Sequence, residues 1–192
     1  NMEMFEQLRL YIKVRYTLIY IKTNEEERLL KQIKEVSADL DYKIKVFNYV
    51  KNKDPQKFLD QVEKDRGKVI YVLQDFHRFL KDDSVGILLT RYLRNFKENL
   101  KNKNKNIIVT APVIKLPEDI KNDFLVLESP LPDYKEIKGT IDSFLDKNNI
   151  GVNISQSLRD RIVLSCLGLT IDQIQKILGK TIFINNEFND KC

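Results

Sequence analysis

"VIYVLQDFHRFL" runs from Val69 to Leu80 and stops its hydrophobic stretch on an acid, Asp75. A short apolar run rich in β-branched and aromatic residues, preceded by Gly67, predicts a strand, written here as "KVIYVLQ". A carboxylate at the end of such a strand is placed to orient a divalent cation. Whether the chain supplies the rest of that chemistry depends on the segments on either side.

Upstream, Phe5, Leu8, Tyr11 and Ile12 recur near helical spacing, which predicts an amphipathic helix over Met2 to Arg15. "TLIYI", Thr17 to Ile21, predicts a buried first strand. Thr23 with Glu26 three residues later has the spacing of a capping box, and "RLLKQIKEV" continues as a helix. "YKIKVFNYV", residues 42–50, predicts a second strand. Asp54 as N-cap and Pro55 at the first helical position open another helix, which Gly67 ends.

Downstream, "DSVGILLTRYLRNFKENL", residues 83–100, predicts a long helix, and "KNKNKN", residues 101–106, a solvated loop in preference to a nucleic-acid contact. "NIIVTAPV" predicts a fourth strand ended by Pro112, "LPEDIKN" a short helical turn, and "DFLVLES" a fifth strand. Strands alternating with helices through short connectors imply a parallel sheet flanked by helices. From residue 131 onward the strand pattern disappears. Helices are expected near Asp133 to Lys147, Ser155 to Leu167 and Thr170 to Leu178, forming a separate bundle, so the expected division is 1–130 and 131–192.

Composition narrows the function classes. At 192 residues and 42% hydrophobic content the chain can bury one sizeable core with a smaller appendage. The net charge of +5 is spread among interspersed acids and bases, which describes a solvated basic surface better than a nucleic-acid footprint. Cys166 and Cys192 lie far apart and form neither a disulfide framework nor a zinc cluster, so a reducing compartment is expected. No apolar run reaches the roughly 20 residues that cross a bilayer. The N-terminus lacks the core of a signal peptide and is too acidic for an ordinary transit peptide, so the protein is expected to be made where it works. Asn1 ahead of Met2 is expected of a cut fragment. The abundance of Lys, Asn and Ile, all with A/T-rich codons, points to an organelle genome or a low-GC bacterium.

Five strands followed by a helical subdomain resemble a P-loop ATPase of the AAA type, and the motifs test that resemblance. A working phosphate loop reads G-x-x-x-x-G-K-[ST] after the first strand, its backbone N–H groups holding phosphate at a helix N-terminus. Here that place holds "KTNEEERLL", Lys22 to Leu30, without glycine and with Glu25, Glu26 and Glu27 in the first turn, where acids favour the dipole and repel a triphosphate. The Gly179 to Thr181 stretch reads G-K-T but has Ile174 at the first glycine position and follows a helix, so Gly179 is expected to be a C-cap. Asp75 occupies the magnesium-orienting position of a Walker B strand, but Phe76 stands where a water-activating glutamate belongs, and the lone His77 is a poor substitute. A plainer role for Asp75 is to cap the following segment while Phe76 packs beneath it. Thr110 sits where a polar sensor residue ends the fourth strand. Arg91 with Arg94, and Arg159 with Arg161, could reach a neighbouring subunit or simply face solvent.

The segments "FEQLRLYIKVRYTLIYIKTNEEERLL", "VIYVLQDFHRFLKD", "IIVTAPVIKLPEDI", "LESPLPDYKEI" and "LGLTIDQIQKIL" resemble the N-terminal half of the hypothetical chloroplast reading-frame AAA protein of plastids and cyanobacteria. The resemblance covers nearly the whole chain. It implies a two-module protein whose first module is degenerate and whose second, beyond Cys192, carries the intact phosphate loop. Residues 1–130 would then be a degenerate AAA core and residues 131–192 its helical lid. ATP and magnesium are implied for the full-length family and none for this chain, Asp75 (magnesium) and Thr110 being vestigial nucleotide positions. Implied partners are the C-terminal AAA module, other AAA subunits and a protein client. The implied setting is the plastid stroma, or a bacterial cytoplasm, with a link to photosynthesis or inorganic-carbon use. Two rivals remain: an unconventional ATP site with weak ATPase activity, and a basic nucleic-acid-binding module.

Overall fold

The structure, a computed structural model, describes residues 3–150 and 154–185. Cys192 lies outside the described residues, and Cys166 is a buried free thiol. The chain divides into two units, Asn1–Ser129 and Pro130–Cys192.

In the first unit, α1 (Met4–Lys13) buries Met4, Leu8 and Ile12, a spacing of four that follows from the helical repeat. Five strands follow: β1 (Leu18–Lys22), β2 (Lys43–Phe47), β3 (Val69–Gln74), β4 (Lys105–Ala111) and β5 (Leu125–Glu128). They form one sheet in the order β2-β3-β4-β1-β5, with every neighbouring pair parallel. Helices α2 (Glu26–Asp39), α3 (Tyr49–Asn52), α4 (Pro55–Asp60) and α5 (Ser84–Asn99) make the connections. The three inner strands β3, β4 and β1 are covered on both faces. Along β3 every residue is buried, and alternate side chains supply two cores. Tyr71 and Leu73 join Tyr20, Phe47, Phe76 and Leu93 on one face, while Ile70 and Val72 join Ile19, Ile21, Leu29 and Ile33 on the other.

Several local expectations change. Residues 42–50 are not one strand: β2 ends at Phe47, and Asn48, whose side-chain oxygen accepts from Val50 N at 3.0 Å, caps the turn of α3. Asp54 caps α4 with Pro55 at its first position, as the sequence predicts. The lysine-asparagine run is only partly a loop. Lys105 and Asn106 belong to β4 and are buried, because the Lys105 ammonium satisfies the carbonyls of Val62 and Asp65 below the sheet. Burial holds its pKa below the usual lysine value, against the opposing pull of Asp65.

The second unit holds three helices: α6 (Tyr134–Lys147), α7 (Gln156–Ser165) and α8 (Ile171–Asn185). Asp133 and Glu136 form a full capping box on α6, and Ile137, Ile141 and Leu145 pack with Val163, Ile174 and Leu178. Gly179 is not a C-cap: α8 continues through it to Asn185, and Thr181 Oγ1 donates back to the Ile177 carbonyl at 2.9 Å. Burial of Ile174 and Leu178 carries the helix past a residue of poor propensity. Among the described residues no helix is long and apolar enough to cross a membrane.

Candidate functional site

The carboxyl ends of parallel strands are where open α/β sheets place their ligands. Here Lys22, Gln74 and Ala111 end β1, β3 and β4. The backbone ties the following residues together: Thr23 N donates to the Ala111 carbonyl at 2.8 Å, and Asp75 N to the Thr110 carbonyl at 2.9 Å. Asp75 and Thr110, singled out separately in the sequence, therefore meet across adjacent strands.

Asp75 adopts a left-handed conformation, φ +53°, which turns the chain sharply from β3 into a 3-10 turn over Phe76–Phe79. It does not cap that turn with its side chain. The cap is the Asp75 backbone carbonyl, which accepts from Arg78 N at 3.1 Å. Phe76 packs fully buried against Phe47 and Phe79, as expected. His77 is buried; burial lowers its pKa while Asp75 opposes that shift, and its Nδ1 has no hydrogen-bond partner among the described residues.

The turn after β1 also departs from its sequence pattern. Thr23 and Glu26 form no capping box. Thr23 belongs to the end of the sheet through its bond to Ala111, two residues before the N-cap position of α2, and its hydroxyl instead accepts from Glu25 N at 2.9 Å. Glu25 is the N-cap residue of α2 and pairs with Arg28 at 3.0 Å. Glu26 is left half-buried with its pKa raised, first by burial and then by the charges of Asp75 and Glu27. The same Asp75 charge adds to the upward shift that burial gives Tyr20, whose hydroxyl donates to the Val113 carbonyl at 2.6 Å. Gln74, missed in the sequence, accepts from Asn48 Nδ2 at 3.0 Å and links the ends of β2 and β3. Its only sequence signal is a polar residue closing an otherwise apolar strand.

Thr110 is 2% exposed and its hydroxyl has no hydrogen-bond partner among the described residues. Arg91 and Arg94 are exposed on α5. Arg159 is held by Asp142 at 3.0 Å within the second unit, while Arg161 is exposed. Among the described residues no group of three or more His, Cys, Asp or Glu could hold a metal ion.

Comparison with known proteins locates this arrangement. Residues 4–129 match the family model described as SpoVK-like AAA ATPase, N-terminal domain, and residues 135–191 the SpoVK-like AAA ATPase, second domain. The AAA domain-containing protein ycf46 of Pyropia yezoensis is 31% identical over 99% of this chain and 40% of its own length. That of Guillardia theta is 27% identical over 98% of the chain and 39% of its own length, so the chain spans about two fifths of these relatives. Among solved structures, the RuvB Holliday junction branch migration motor of Thermotoga maritima superposes with a TM-score of 0.60 at 13% identity, over 95% of this chain and 60% of that one, a likeness of fold.

Proposed function

Because the chain belongs to the SpoVK-like AAA ATPase family across both matched domains, we propose that it is the non-catalytic first module of a plastid AAA protein, serving assembly or partner binding. The observation that carries this is the pair Glu26 and Asp75. Where a phosphate loop would present glycine N–H groups and a lysine, this chain presents a half-buried carboxylate whose pKa is raised first by burial and then by the charge of Asp75. A triphosphate there would add to that repulsion instead of relieving it. Phe76 stands where the water-activating carboxylate belongs, and His77 is a poor substitute, being buried with its basicity lowered by that burial. The residues do not fit ATP and magnesium.

The algal relatives support the plastid setting, within which the stroma is the compartment proposed here. The nucleotide chemistry would sit in the part of the relatives that lies outside this chain, with the module described here positioning partners. A role linked to photosynthesis or inorganic-carbon use is part of this proposal, as what the family resemblance implies.

A second reading draws on the unpaired Thr110 hydroxyl beside Asp75, which a nucleotide could satisfy. Titration calorimetry with magnesium-ATP separates the two. The expected result is no binding heat for residues 1–192 and micromolar binding for the full-length gene product. Saturable binding by this chain alone, lost in Asp75→Asn, would establish the unconventional site and overturn the first reading.

A further inference from the structure

We infer that the cavity at the amino ends of β3 and β4 binds a small phosphomonoester that carries hydroxyl groups. This place lies at the opposite end of the sheet from Asp75 and Thr110 and does not depend on what binds there.

Val69 opens β3 and Lys105 opens β4, and Val69 N donates to the Asn104 carbonyl at 3.0 Å, which holds the two strand entries side by side. Beside them lies a cavity of about 360 Å³ whose polar lining is Glu63, Asp65, Lys68, Lys103, Asn104 and Lys105. Lys105 decides its chemistry. This residue is 5% exposed, and its ammonium donates to two neutral carbonyls, that of Val62 at 2.6 Å and that of Asp65. It has no ion-pair partner among the described residues, although a buried charge is ordinarily paired. The nearby Asp65 carboxylate is engaged instead by Lys45 at 2.7 Å and by the Tyr71 hydroxyl at 2.8 Å. Two carbonyls use two of the three ammonium donors, so one donor and an uncompensated positive charge remain.

The neighbouring residues add donors. Lys103 is exposed and has no partner among the described residues. Asn104 uses its side-chain oxygen to accept from the Tyr42 hydroxyl at 3.3 Å, which leaves its amide N–H groups free. Lys68 adds a further positive charge while donating to the neutral Leu40 carbonyl at 3.3 Å. With Asp65 neutralised by Lys45, the lining keeps three lysines against the one carboxylate of Glu63.

A phosphate dianion suits this set, since lysines bind phosphate as point charges and its oxygens accept from several donors at once. Burial holds the Lys105 pKa down against the pull of Asp65, with Lys103 and Lys45 adding to the fall, and a bound anion would reverse it. The cavity has the size of a small-molecule pocket and exceeds what one phosphate group fills. Glu63 accepts from Asn99 Nδ2 at 2.8 Å through one oxygen, and its other oxygen is an acceptor that repels a second phosphate and takes a hydroxyl. The ligand class is therefore a hydroxylated monoester.

The test is an amide-resolved NMR titration of the 192-residue chain, at constant ionic strength, with inorganic phosphate, glycerol phosphate and glycerol. Saturable shifts of the Gly67, Asn104 and Lys105 amides are expected with both phosphates, tighter with glycerol phosphate, and none with glycerol. Glycerol phosphate should also raise the Lys105 amine pKa, followed at Cε of its side chain. Lys103→Gln, at an exposed residue, should weaken binding about fivefold. Lys105→Met, which keeps the apolar stem and removes the charge, should weaken it about tenfold. Should Lys105→Met fail to fold, Lys103→Gln and the Lys105 titration carry the test. Failure to saturate, an affinity unchanged in Lys103→Gln, or an equal response to chloride overturns the proposal. Equal affinity for inorganic phosphate and glycerol phosphate overturns the assignment to a hydroxylated ester. A single-stranded oligonucleotide that binds more tightly as it lengthens overturns it in favour of a nucleic-acid contact.

Discussion

Glu26 and Asp75 illustrate what one carboxylate does to another when a helix start and a strand end meet. Glu26 titrates above its ordinary 4.5, first because it is partly buried and then because Asp75 lies close. The folded state therefore holds the Glu26 proton more tightly than the unfolded chain does. Its contribution to stability is greatest below the unfolded pKa and is lost as pH rises through the folded value. In an NMR titration of side-chain carboxyls, Asp75→Asn should bring the Glu26 pKa down yet leave it above 4.5, because burial persists. Glu26→Gln should flatten the fall of stability over the same window of pH. The sequence showed three acids in the first helical turn and an acid ending the third strand. Their proximity was not legible there, because it depends on β4 lying between β1 and β3, with 48 residues separating Glu26 from Asp75.

At the scale of single elements, two glycines separate local preference from packing. Gly86 occupies the third position of α5, its N–H donating to the capping Asp83 side chain at 2.7 Å. A Cβ there would lie 1.9 Å from the Lys81 carbonyl oxygen, which is backbone and has no rotamer to yield. Gly86→Ala should therefore destabilise by about 3 kcal/mol despite the better helix propensity of alanine. Gly179, inside α8, faces open space, and Gly179→Ala should stabilise the second unit by about 0.5–1 kcal/mol. Urea unfolding of the two variants checks both signs. The periodic helices were readable from their apolar spacing and from the Asp54 cap, while the structure adds Asp83 and Ser155 as the caps of α5 and α7. Boundaries failed where a residue had a tertiary partner: Thr23 is drawn into the end of the sheet, and Lys105 into the strand by carbonyls of the segment after α4.

For the molecule as a whole, the two units have separate cores, with Leu73 and Val109 in one and Leu145 and Ile174 in the other. Leu145→Ala removes a fully buried side chain from the three-helix core and should cost about 3 kcal/mol. Hydrogen exchange read unit by unit should lose protection in α6 to α8 and keep it across β1, β3 and β4. Uniform loss of protection across both units would show that they unfold as one.

The sequence by itself determined the class of fold, the switch from strands to helices near residue 130, and the lack of a glycine-lysine loop after β1, because hydrophobic period and turn chemistry are local properties of the chain. Only the tertiary structure decided that Asp75 meets Thr110, that Glu26 shares Asp75's field, and that the Thr110 hydroxyl is buried without a partner among the described residues. Those relations are set by strand order and register, and in a parallel sheet the pairing residues lie too far apart in the chain for any local pattern to record them.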